Sequence, residues 1–77
     1  MPTVLRWGPY RAFFYSNERG EPPHIHVERD RQTAKFWLAP VRLASSRNFS
    51  ARELRRVEEI VIEHEAEFLR VWHERFG

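Results

Sequence analysis

The 77-residue sequence contains no cysteine, no long run of apolar residues and no repeat, linker or low-complexity segment. Without cysteine, disulfide bonds and thiolate zinc sites are excluded. Without an apolar run or a signal-peptide pattern, we expect a soluble protein of the cytoplasm that has no membrane partner. Without linkers or repeats, residues 1–77 are predicted to form a single domain.

The hydrophobic content is 42% and includes eleven aromatic residues, which is too rich for a disordered chain. A chain of this length buries only about 60% of its unfolded surface when it folds. Association into a homo-oligomer, or with a partner protein, would add buried area that one copy lacks.

Acidic side chains are scarce in the first 56 residues, which carry eleven basic and five acidic groups. The remaining residues, 57–77, reverse the balance with two basic and six acidic groups. Twelve of the thirteen cations are arginine, whose planar fork suits phosphate and carboxylate. The basic part is compatible with nucleic acid, with an acidic partner, or simply with a solvated surface.

Alternating apolar and polar residues, punctuated by turn residues, predict strands near residues 3–7, 10–16, 24–29, 33–39 and 41–43. Turns are expected at 8–9, 17–20 and 30–32, and a loop is expected over 44–48. The predicted fold is α+β: an antiparallel meander of four to five short strands within residues 3–43, followed by one long C-terminal helix on one sheet face.

The helix is predicted over residues 51–75. Ser50 and Glu53 have the spacing of a capping box. Apolar residues then recur at helical spacing and form one stripe, which includes Leu54, Val61 and Trp72. A straight helix of this length would measure about 37 Å.

The run from Pro22 to Glu28 holds the most reactive side chains. In a strand, His24, His26 and Glu28 share one face, while Ile25 and Val27 occupy the other. We expect no cofactor and no metal. If a divalent metal were bound, His24, His26 and Glu28 would be its ligands, and a zinc site would still need further donors.

The apolar helix stripe requires an apolar sheet face, and Ile25 and Val27 provide one. Because side chains alternate along a strand, His24 and His26 are then expected on the sheet face away from the helix. The predicted exposed binding surface is aromatic and basic, and it consists of Phe13, His24, His26, Lys35 and Trp37. Such a surface suits a protein partner or the stacked bases of single-stranded nucleic acid.

Catalysis is the alternative use of the two imidazoles. His24 and His26 could exchange protons in a small ribonuclease or serve a metal-dependent hydrolase. The sequence shows no other group of catalytic residues, so the hypothesis of an enzyme ranks below that of a binding module.

Three arginines at the helix start, Arg52, Arg55 and Arg56, form a further candidate binding cluster. They oppose the helix dipole, and they would suit a phosphate or an acidic partner. A nucleic-acid-binding regulator is a weaker alternative, since only one helix is expected and no helix-turn-helix is apparent.

Three stretches carry a family resemblance: Pro22–Val27, Ala34–Val41, and Asn48–Ser50 leading into Leu54, followed by Trp72. With them the chain resembles the bacterial "domain of unknown function 4160" family. The resemblance implies a small prokaryotic cytosolic protein with no settled activity. It also implies a neighbouring gene for a small protein of the "domain of unknown function 2442" type, as in toxin–antitoxin pairs.

The leading hypothesis is a non-enzymatic binding module that acts with a small partner protein encoded nearby, in a toxin–antitoxin-like or regulatory pair. The surface around His24, His26 and Trp37 would dock on the partner and occlude it.

Overall fold

A computed structural model describes residues 3–15 and 20–77 of the chain. Five strands precede two helices: β1 (Thr3–Trp7), β2 (Tyr10–Phe13), β3 (His24–Arg29), β4 (Gln32–Trp37), β5 (Arg42–Arg47), α1 (Ala51–Glu63) and α2 (Glu65–Phe76). The strands form one sheet in chain order, and each neighbouring pair is antiparallel. The predicted α+β class and the strand meander are confirmed.

The helices pack on one side of the sheet, which we call the inner face. Strand alternation brings apolar side chains of the three central strands to that face. The buried cluster there consists of Ala12, Phe14, Ile25, Val27, Ala34, Phe36 and Leu38 from the sheet side, with Val57, Val61, Phe68 and Trp72 from the helices. The predicted burial of Ile25 and Val27 is confirmed.

The prediction of one long helix is wrong, because the helix breaks at His64. The His64 Nδ1 lies 2.9 Å from the Ile60 carbonyl oxygen, and the His64 backbone N–H donates to the same oxygen. A side chain that enters the backbone hydrogen-bond ladder is a known cause of helix kinks. The longest extent of the folded chain is 33 Å, which is shorter than the straight rod of about 37 Å expected over residues 51–75.

The last strand is also longer than predicted, since β5 runs from Arg42 to Arg47 where a loop was expected over 44–48. Its residues Ala44, Ser45 and Ser46 have little intrinsic strand preference. Pairing with β4 supplies their backbone partners, and tertiary context overrides propensity. A register shift opposite Lys35 and Phe36 interrupts the pairing once.

The predicted turn at 17–20 lies outside the described residues apart from Gly20, and so does Ser16, the predicted end of the second strand. Within residues 3–15 and 20–77, no helix is both long enough and apolar enough to span a membrane.

A polar network joins the start of α1 to the inner face of the sheet. Ser50 Oγ accepts a hydrogen bond from the Glu53 amide at 3.1 Å, as expected of the helix cap. The Glu53 carboxylate turns to the sheet instead of completing a capping box. It accepts hydrogen bonds from the Tyr10 hydroxyl at 2.7 Å and from Arg29 Nη1 at 2.5 Å.

This network shifts the titration of its members. Hydrogen bonds from Tyr10 and Arg29 hold the pKa of Glu53 below its ordinary value of 4.5. Burial and the nearby Glu53 carboxylate raise the pKa of Tyr10 above 10.0. Since the carboxylate is the favoured form of Glu53 in the folded chain, the network stabilises the protein in its ionised state.

Replacing Glu53 by Gln tests this network. A carboxylate with a lowered folded pKa stabilises the protein above its unfolded pKa, and the benefit disappears as the pH falls through the folded value. We therefore expect Glu53→Gln to unfold at lower urea concentration than wild type at neutral pH, with the difference narrowing by about pH 3. Glu59→Gln, an exposed change on the same helix, should match wild type at both pH values. A difference in urea midpoint between Glu53→Gln and wild type that stays the same at both pH values would contradict a stabilising role of the ionised Glu53 carboxylate.

Candidate functional site

The side of the sheet opposite the helices, here called the open face, carries a row of paired side chains. Phe13 lies opposite His26, His26 opposite Lys35, and Lys35 opposite Ser45. Side chains directly opposite in antiparallel strands point to the same face. The register therefore gathers aromatic, imidazole, ammonium and hydroxyl groups across four strands.

The five residues predicted as a binding surface do lie together. Phe13 stacks on His26 with ring centroids 5.5 Å apart, and His26 meets His24 edge to face at 5.1 Å. His24 in turn contacts Trp37 at 5.6 Å. The Lys35 ammonium lies 4.6 Å from the centre of the Trp37 ring.

The predicted exposure of this cluster is wrong for two of its members. His24 is fully buried and Phe13 is only 3% exposed. The His24 ring contacts Trp72 of α2 at 4.9 Å, and its Nδ1 lies 2.9 Å from the Pro22 carbonyl oxygen, which identifies Nδ1 as the donor. Trp72 also meets Phe14 at 5.4 Å.

Strand alternation predicts that Phe13 and His24 are exposed if the helices contact only side chains of the other sheet face. At this end of the sheet Trp72 reaches both Phe14 and His24, although the two residues belong to opposite phases of the alternation. His24 is consequently a supporting residue beneath the surface, and His26, Lys35 and Trp37 form its accessible part.

A concave groove of about 280 Å³ opens on this face. Its polar and aromatic lining residues are Phe13, Tyr15, His26, Thr33, Lys35, Ser45, Ser46 and Arg47. Tyr15 and Thr33 were not predicted as site residues. Ser45, Ser46 and Arg47 were not predicted either, because a loop was expected over 44–48 where β5 forms. Once β5 is known to pair with β4, the register places Ser45 beside Lys35 and Arg47 beside Thr33.

The residues named for a metal are not gathered into a site. Glu28 pairs with Arg11, whose Nε donates to Glu28 Oε1 at 3.0 Å. Arg11 also covers the Phe13 ring at 4.2 Å. No cluster of three or more His, Asp or Glu side chains able to hold a metal occurs among residues 3–15 and 20–77. The Glu28 carboxylate therefore serves the sheet as an ion-pair partner.

The arginine cluster of the helix start lies elsewhere. Arg52, Arg55 and Arg56 are exposed on α1, which packs on the inner face. They do not join the groove of the open face. The predicted binding residues thus divide into two separate regions, one on each side of the sheet.

Comparison with known proteins identifies a family. A family model described as "Domain of unknown function (DUF4160)" matches residues 10–73, which is most of the 77-residue chain. Neither the curated proteins nor the solved structures contain a significant match.

Separate alanine substitutions of His24 and His26 test the division between support and surface. His24→Ala should lower the free energy of unfolding by about 2–4 kcal/mol, because it leaves a cavity beside Trp72 and removes the hydrogen bond to the Pro22 carbonyl. His26→Ala should cost roughly 1 kcal/mol through lost ring contacts. Urea denaturation measures both, with the exposed His73→Ala as a near-neutral control. Equal losses of unfolding free energy in His24→Ala and His26→Ala would contradict the assignment of His24 as a supporting residue and His26 as a surface residue.

Proposed function

Since the chain belongs to the DUF4160 family, whose description states no activity, we propose its function from the open face: a non-enzymatic module that binds an acidic surface of a partner protein. The partner would be a small protein encoded nearby, within a toxin–antitoxin-like or regulatory pair in the cytoplasm. Binding would act by occlusion, since the module covers the partner's surface without changing it chemically.

The groove of the open face carries this proposal. It combines aromatic rings, hydroxyl groups and two cations in one concave surface. Tyr15, whose ring contacts Phe13 and His26, is 41% exposed, so part of its side chain faces solvent. Aromatic residues and arginine are enriched at protein interfaces because they offer large contact areas and directed hydrogen bonds.

The charge of the open face favours an acidic partner. Glu28 forms an ion pair with Arg11. Lys35 forms another with Glu21, in which Nζ lies 2.9 Å from Oε1. Arg47, at the far end of the groove, is exposed and has no ion-pair partner in the described part of the chain. Arg6, which pairs in register with Arg11, adds another exposed cation at the opposite edge. The remaining excess of positive charge would steer an acidic surface toward this face.

The buried His24 supports the surface from below. It contacts the rings of both His26 and Trp37, and it is itself held by Trp72 and the Pro22 carbonyl. Rigid support lowers the entropy that accessible side chains lose on binding. The paired histidines of the sequence thus take two roles, with His24 positioning and His26 contacting.

The same geometry weakens the ribonuclease and hydrolase alternatives. Acid–base cleavage by the pair needs both imidazoles at the substrate. His24 has no exposed surface, and its Nδ1 is engaged by a backbone carbonyl. His26 alone does not supply both the acid and the base.

Single-stranded nucleic acid is the second candidate for the groove. Tyr15 and His26 meet edge to face at 4.7 Å beside Lys35, which resembles a base-stacking platform next to a phosphate contact. Such binding would fall steeply with salt, because each phosphate contact releases counterions.

Charge reversal in the groove tests the proposal. The double variant Lys35→Glu/Arg47→Glu should weaken binding of the small protein encoded beside this gene by about tenfold or more, because two attractive contacts become repulsive. Arg70→Glu/Arg75→Glu changes the charge equally on α2 and should bind like wild type. Isothermal titration calorimetry gives the affinities.

Other results would redirect the assignment. If the neighbouring protein does not bind but single-stranded RNA does, with a steep salt dependence that Lys35→Glu/Arg47→Glu abolishes, the groove binds nucleic acid. If wild type cleaves RNA and His26→Ala does not, the enzyme alternative replaces the binding module. Equal affinity of the two charge-reversal variants would remove the groove from the interface.

A further inference from the structure

The β5 strand forms an unpaired edge of the sheet. It is the last strand in the sheet order, and β4 is its only neighbour among the described residues. All six of its residues, Arg42–Arg47, are exposed. An exposed edge presents backbone N–H and C=O groups that an incoming strand can pair with.

A second groove runs along this edge on the inner face, between β5 and α1. It has a volume of about 280 Å³ and is lined by Phe36, Leu43, Ala51, Leu54, Arg55 and Glu58. Leu43 lies opposite the buried Phe36 in the sheet register, yet Leu43 is itself 44% exposed. The groove therefore offers apolar contact to a side chain entering from beyond β5.

The two sides of β5 differ in chemistry. Arg42 lies opposite Trp37 and Arg47 opposite Thr33, so both arginines stand on the open face. Leu43 and Ser46 lie opposite Phe36 and Ala34, on the inner face. Neither Arg42 nor Arg47 forms an ion pair within residues 3–15 and 20–77.

We propose that the β5 edge receives an extended segment of a partner protein in which acidic and apolar residues alternate. Backbone hydrogen bonds would extend the sheet by one strand. The acidic side chains would meet Arg42 and Arg47 on the open face, and an apolar side chain would enter the groove beside Leu43. Arg55 and Glu58 at the wall of that groove carry opposite charges, so the attraction for acidic side chains comes from Arg42 and Arg47.

A second copy of this chain is a poor match for the full length of the edge. In the two-fold antiparallel register that pairs all six residues of β5 with those of another copy, Arg42 would oppose Arg47 of that copy, and like charges directly opposite destabilise a sheet. The five strands contain one acidic residue, Glu28, and it sits in the central strand β3. Residues 3–15 and 20–77 thus contain no free acidic strand that a second copy could offer.

This edge shares Ser45, Ser46 and Arg47 with the open-face groove proposed above. The inference rests on the backbone of β5 and on the inner-face groove beside Leu43, so it does not depend on that proposal. Charged residues on edge strands also discourage unselective pairing. At β5 the same arginines would have both effects: they would repel the β5 strand of a second copy and attract an acidic segment.

NMR titration of the full-length protein tests the inference with a synthetic peptide of alternating glutamate and valine at neutral pH. The amide signals of residues 42–47 should shift more than those of β1, and a peptide of alternating lysine and valine should have no effect. A glutamate–valine peptide with N-methyl groups on every second residue, placed on its β5-facing edge, should not bind, because it cannot donate the ladder hydrogen bonds. Methylation on the opposite edge should leave binding intact.

Substitutions supply the matched controls. Arg42→Glu/Arg47→Glu should weaken the glutamate–valine peptide by about tenfold or more and allow the lysine–valine peptide to bind. Arg70→Glu/Arg75→Glu on α2 should leave both affinities unchanged. Leu43→Ser, at an exposed position, should weaken the peptide without lowering the urea midpoint.

Three results would overturn the inference. The first is absence of peptide-induced shifts at residues 42–47 at millimolar peptide. The second is binding that survives both N-methylation patterns, which would reveal charge attraction without strand pairing. The third is a concentration-dependent dimer, seen by analytical ultracentrifugation, that Leu43→Ser disrupts, which would assign the edge to a second copy.

Discussion

The apolar stripe of the helices and the apolar face of the sheet bury each other, and the remaining structure depends on that contact. Val57, Val61 and Phe68 are essentially inaccessible to solvent, as are Ile25 and Val27 on the sheet. Removing these side chains from water supplies the main driving force for folding. Because α1 and α2 both pack on the inner face, the opposite sheet face and the last strand are not covered by either helix.

This contact could be predicted from the sequence because it follows from the spacing of apolar residues along the strand and along the helix. Ile25 and Val27 repeat at the strand period, and Leu54, Val61 and Trp72 repeat at the helical one. What the sequence could not show was that Trp72 of α2 contacts residues from both faces of the sheet. The position of Trp72 against both Phe14 and His24 is set by tertiary packing, and no local pattern in the sequence encodes it.

Two further differences have the same origin. His64 falls within the helix predicted over residues 51–75, but its imidazole hydrogen-bonds the Ile60 carbonyl and the helix breaks there. Glu53 was expected to complete its helix cap, but Tyr10 and Arg29 offer stronger donors from the sheet. Glu53 thus takes distant partners in place of a local one, whereas His64 takes a carbonyl one turn earlier in the helix, and sequence spacing alone reveals neither choice. The groove residues of β5 were missed because pairing with β4 overrides their weak strand preference.

The break at His64 also bears on how each helix is stabilised. It leaves helices of 13 and 12 residues, and isolated helices shorter than about 12–15 residues are marginal in water. Each helix therefore depends on its own attachment, α1 on the Glu53 network and α2 on Phe68 and Trp72. Local opening of α2, visible as early amide hydrogen exchange, would uncover His24 while α1 and the sheet remain folded.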